Sequence, residues 1–186
     1  SLDWECVMNE FGAELSYLND MLFLRKLSRT DRMISSISLK SLALVKKLHE
    51  QGCSVDAKCF AKAALTGHLD ILKYLHENYG TWDENTMLNA AMNGRLHCLQ
   101  YAHKHGCPWH IKTCKYAAKN GHLDCLQYAH EQGCPWNEET TRCAAHEGHL
   151  NCLQYAHEQG CPWNEETTRY AASGGHLNCL QYAHEQ

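Results

Sequence analysis

Five glycines, Gly67, Gly94, Gly121, Gly148 and Gly175, stand 27 residues apart with no insertion between them. A fixed period of this length marks a chain built by stacking one small unit on copies of itself. The clearest unit is GHLNCLQYAHEQGCPWNEETTRYAASG, residues 148–174, and the unit before it differs at only four positions. Residues 40–66 keep the frame without the glycine. Ala13, Glu14, Leu15 and Leu18 fall in the same columns, so residues 13–39 read as a degenerate unit and residues 3–12 as the second half of another. The expected organisation is therefore one continuous domain, with degenerate repeats over 1–39 and regular repeats over 40–186.

Each unit reads as two helices. Leu150, Leu153, Ala156 and His157 lie on one face of a helix that ends before Gly160. After the turn Gly160-Cys161-Pro162-Trp163, Asn164 suits an N-cap, and Glu165 and Glu166 put negative charge where the helix dipole favours it. Asp56, Asp83 and Asn137 share that cap column. The short helix that follows, about 165 to 173, carries Ala171 and Ala172, whose small side chains let helices approach closely. Such a hairpin cannot bury its apolar stripe alone, so its stability must come from neighbours. The fold expected is all-α: a solenoid of about seven stacked helix-turn-helix units. The sequence stops at His184-Glu185-Gln186, where the turn would begin again, and an apolar end is expected there that further repeats or another subunit would cover.

These residues resemble ankyrin repeats. The run GHLDILKYLHENYG is similar to the second ankyrin helix and its turn, and the Ala-Ala pairs at 63-64, 90-91, 117-118, 144-145 and 171-172 sit where the first ankyrin helix ends. The unit here is six residues shorter than an ankyrin unit. The deficit falls between Asn164 and Glu166, where the family carries its β-hairpin finger and Thr-Pro-Leu-His motif, so the finger is expected to be shortened or absent. The short form with GCPW turns is similar to arrays of large DNA viruses of amoebae and algae and of some protists, which implies a viral protein of the host cytoplasm or virion. The resemblance implies protein binding. Residues 1–39 show no F-box, so recruitment of ubiquitin ligase machinery is not implied.

Composition narrows the function further. With 17 Lys+Arg against 21 Asp+Glu, a formal charge of -4 and a pI near 6.4, the chain lacks the basic excess of a nucleic-acid binder. No stretch has the length of apolar residues that a membrane span needs, and the N-terminus lacks a basic flank followed by an apolar run, which points to a cytoplasmic protein. Catalysis needs unlike groups converging on one place, whereas a repeat offers like groups again and again. There is no nucleophile paired with a base, no Gly-x-Gly-x-x-Gly, no Walker loop and no His-Glu-x-x-His, so neither an enzyme nor a cofactor is expected.

Twelve Cys and fourteen His call for explanation. Most belong to columns. His49, His76, His103, His130, His157 and His184 form one, and His68, His122, His149 and His176 another. Cys98, Cys125, Cys152 and Cys179 share a helix position, while Cys53, Cys107, Cys134 and Cys161 share the turn. Stacked helices lie about 8 to 10 Å apart, too far for one column to converge on a zinc ion whose ligands sit at about 2.0 to 2.3 Å. The same spacing disfavours disulfides, so free, half-buried thiols are expected. One segment is denser: His97, Cys98, His103, His105, Cys107, His110 and Cys114, with Cys107-Pro-Trp-His110 a C-x-x-H, is where a metal would bind if any did. The six-membered His column is expected to bond backbone carbonyls of the neighbouring turn. Trp82, Trp109, Trp136 and Trp163 are expected to pack between units.

Differences among the units point to a partner face. One column reads Lys62, Asn89, Tyr116, Cys143, Tyr170 and another Leu65, Met92, Lys119, His146, Ser173. Positions that hold the stack must stay alike, so these diverse ones are expected to be exposed on the first helix and to bind a protein. The alternatives are neutral drift on a solvated surface, a structural component of a larger assembly such as a virion, and a zinc-binding repeat protein.

Overall fold

The computed structural model describes residues 27–185. The half-unit assigned to residues 3–12 and the first part of the degenerate unit 13–39 lie outside them, and of the 1–39 region the helix Arg29–Ser38 is described. Among the described residues there are twelve helices and no strand. The first helices of successive units are α1 (Arg29–Ser38), α3 (Ala57–Thr66), α5 (Glu84–Met92), α7 (Thr113–Lys119), α9 (Glu138–His146) and α11 (Glu165–Gly174). The second helices are α2 (Leu42–Glu50), α4 (Leu69–Tyr79), α6 (Leu96–Lys104), α8 (Leu123–Glu131), α10 (Leu150–Glu158) and α12 (Leu177–Glu185). The second helices start in step with the sequence columns.

Local chemistry sets the ends of these helices. Asp56, Asp83, Asn137 and Asn164 each accept a hydrogen bond from the backbone N–H two residues on, which satisfies a donor that the first turn leaves open. Both helix types then close with reversed bonds. His149 N–H reaches Ala144 O at 2.9 Å and Cys161 N–H reaches Ala156 O at 2.9 Å, bringing the chain back within a few residues. The connection from each second helix to the next first helix is an irregular turn, which is all that stands where a finger would be.

Packing follows from side-chain size. In the four regular units from 63-64 to 144-145 both alanines are fully buried, so adjacent first helices lie close together, whereas adjacent second helices touch at few points. The stack therefore bends with the first helices on the inside. Leu72, Leu99, Leu126 and Leu153 fill the space between the two layers with no exposure. Each contributes about 1.5 to 3 kcal/mol of apolar burial, and no unit buries them without the next one.

Candidate protein-binding face

The columns that stay alike are occupied in joining unit to unit. His103 Nδ1 shares a hydrogen bond with the Tyr128 hydroxyl at 3.0 Å, and the same bond joins His49 to Tyr74, His76 to Tyr101, His130 to Tyr155 and His157 to Tyr182. The partner is thus a tyrosine of the following unit, not the backbone carbonyl expected from sequence. A carbonyl can only accept, whereas a hydroxyl gives or takes the proton and so suits either ring tautomer. Trp82 stacks on His76 at 4.0 Å and Trp136 on His130 at 3.8 Å, each meeting the next unit's tyrosine edge-on. The tryptophans are half-buried and pack between units as expected. Burial pushes the His76 pKa below its ordinary value, which keeps that ring neutral in its aromatic bed.

The second histidine column has a different use. The His122 ring lies over Gly94, His149 over Gly121 and His176 over Gly148. The glycine of one unit is the seat for the imidazole of the next. In the one unit where arginine replaces this histidine, Arg95 covers Gly67 and its Nε donates to Leu65 O at 3.3 Å.

The cysteines are more deeply buried than the half-burial expected. Of the eleven described, ten are buried and only Cys143 is intermediate; all are free. Burial raises the Cys98 and Cys152 pKa values to about 11 and those of Cys107, Cys125 and Cys161 to about 12. These remain thiols near neutrality, and Cys107 and Cys161 donate to backbone carbonyls of Asp83 and Asn137 at 3.3 and 3.2 Å. The dense 97–114 segment is not gathered into one place. His97 is exposed, Cys98 is buried, His103 bonds Tyr128, and His105 lies against His76 and Tyr101. Cys114 points toward Cys134 O at 3.8 Å. His110 occupies the N-cap column, its Nδ1 accepting from Lys112 N–H at 3.0 Å. Among the described residues, no three of His, Cys, Asp and Glu are grouped as ligands for a metal would be.

The diverse columns lie together on the inner, first-helix layer. Contrary to the expectation of open exposure, eight of the ten residues are half-buried, and only His146 and Ser173 are exposed. The cause is the close approach of neighbouring first helices, which sinks these side chains into grooves. Lys62, Leu65 and Asn89 line a groove of about 340 Å³ across α1, α3 and α5, together with Ile34, Ala61 and Asn85. Lys119, Cys143, His146 and Tyr170 line a second of about 270 Å³ across α7, α9 and α11, with Lys115, Glu139 and Arg142. Tyr116, Met92 and Ser173 line neither.

Ion pairs crossing the units cover much of the second groove. Lys115 Nζ meets Glu139 Oε2 at 3.0 Å, Arg142 meets Glu166 at 2.8 Å, and Lys119 stands 3.8 Å from Glu147. The Lys115 ammonium beside it holds the Glu139 carboxyl below the usual carboxylate range. Arg142 also lies over the Tyr170 ring at 5.5 Å. The ladder residues Lys115, Glu139, Arg142 and Glu166, like the tyrosine column, are periodic in the sequence but were not read as joining units. Their signal was two columns of complementary chemistry separated by slightly less than one unit.

No protein-family profile and no curated protein matches the sequence. Among solved structures, the ankyrin repeat domain of human ASB11 aligns with 82% of this chain and 82% of its own, with a TM-score of 0.68 and 17% identity. The fold is the ankyrin-repeat solenoid. At that identity the likeness rests on the backbone path, and in this ankyrin solenoid both grooves lie on the first-helix layer. No described helix is long and apolar enough to cross a membrane.

Proposed function

We propose that this chain is a non-enzymatic scaffold that binds a protein along its first-helix layer. The observation that carries the reading is the division of labour between columns. Residues that recur from unit to unit are spent on His–Tyr bonds, tryptophan stacking and glycine seats, while seven of the ten residues that differ line two grooves. Grooves with varied walls on a rigid scaffold are what selective recognition needs. The ankyrin fold generally works by binding other proteins, which agrees with this use. A cytoplasmic setting fits a chain that keeps its many thiols free, since a reducing compartment preserves them.

The test is capture of partners from cell lysate by the full chain and by Tyr116→Ala/Tyr170→Ala. Tyr170 walls the second groove and Tyr116 sits one unit before Cys143 in the same column. Loss of a captured partner with unchanged helicity supports the reading. Identical capture by both proteins removes this face from consideration.

A further inference from the structure

The two grooves differ in one respect that points to the chemistry of an occupant. Along α7, α9 and α11 the inner face is neutralised by its own side chains, with Lys115, Arg142 and Arg169 each meeting Glu139 or Glu166. In the same column as these three cations, α3 carries Ala61, and in the column of the two glutamates it carries Lys58. Both halves of the pair have changed. Ala61 is too short to fill the space that Arg142 fills, so a groove opens over Ile34, Ala57, Ala61 and Leu65. Lys58 stands as a cation where α9 and α11 carry a carboxylate.

Lys58 and Lys62 are one helical turn apart on α3, both on the groove wall, and neither has an ion-pair partner among the described residues. Like charges at this spacing repel, and an anion between them relieves the repulsion. The one carboxylate on the wall, Asp83, already accepts from Asn85 N–H at 3.1 Å and Asn85 Nδ2 at 3.0 Å as the cap of α5. An apolar floor and two unpaired ammoniums therefore face the same cleft, with Asn85 on its far wall.

We propose that this groove binds an acidic peptide segment of a protein partner. An Asp or Glu carboxylate of the segment lies between Lys58 and Lys62, supplying the charge that glutamate supplies in later units. A neighbouring apolar side chain of the segment covers Ala61, Leu65 and Ile34. The proposal rests on the reading of the first-helix layer as a protein-binding face.

A random-peptide library panned against the full chain tests it, with Lys58→Glu/Lys62→Glu and Ala61→Arg as comparison proteins. Arginine is tolerated at this column in α9 and α11, and circular dichroism checks that both variants keep their helicity. The expected result is an enriched motif pairing an acidic residue with an apolar one. Both variants then bind these peptides at least roughly tenfold more weakly, about 1.4 kcal/mol, and raised salt weakens binding to the wild type. Enrichment without acidic residues, no enrichment, or unchanged binding by both variants overturns the proposal. So does equal competition by a short single-stranded oligonucleotide, which would make the site a general polyanion surface. If the variants leave peptide binding intact while Tyr116→Ala/Tyr170→Ala abolishes lysate capture, this groove fails and the broader reading stands.

Discussion

Gly121 and Gly133 share a left-handed backbone, with φ of +74° and +81°, yet their surroundings differ. A Cβ on Gly121 would meet His149 Nδ1 at 2.5 Å, whereas one on Gly133 has nothing within 4 Å. Gly133→Ala is expected to cost only the strain of a left-handed alanine, about 1 kcal/mol. Gly121→Ala adds displacement of the imidazole and loosens a unit interface, so its loss should exceed that of Gly133→Ala by about 1 kcal/mol or more. Urea denaturation decides between them, and equal midpoints would mean that the histidine gives way freely. At this scale the sequence displayed the glycine and histidine columns but not their contact. Neighbouring units bring them together, and nothing in one unit records how its neighbour is rotated.

Among the first helices α7 is the exception, beginning at Thr113 where its counterparts begin directly after a Ser, Asp or Asn cap. His110 holds the cap column and its ring nitrogen takes the Lys112 N–H, but α7 itself has no side-chain cap and is the shortest described helix. His110→Asn is expected to lengthen α7 by two residues, about half a turn, and to stabilise the chain by about 0.5 to 1 kcal/mol. A raised thermal midpoint with a gain of helical signal would bear this out, and no change would mean that Ile111 and Lys112 hold the irregular start. Helix identity, order and caps were legible here because each depends on a few contiguous residues. The ligand-rich appearance of 97–114 was misleading for the opposite reason: hydrogen bonding, stacking and capping use those same side chains separately, and only their positions in space show it.

Over the whole molecule, the stack is held by contacts between adjacent units, so its stability should be close to a sum over units and interfaces. Removing residues 121–147 joins Asn120 to Gly148 in register and brings Lys115 opposite Glu166, a like replacement for Glu139. The shortened chain is expected to stay helical and to unfold in one transition with a smaller denaturant slope, since less surface is exposed on unfolding. Loss of helical structure would show that this unit is needed as a nucleus and not as one copy among several. The unit itself, with its two helices, caps, turns and all-α character, was determined by the sequence alone, because periodicity and capping act within a few residues of chain. The tertiary structure alone decided which column meets which. The His–Tyr bonds span 25 residues and the Lys115–Glu139 and Arg142–Glu166 pairs 24, short of a full repeat. Those offsets arise from the rotation of one hairpin on the next, and the same close packing of first helices turned an exposed stripe into grooves.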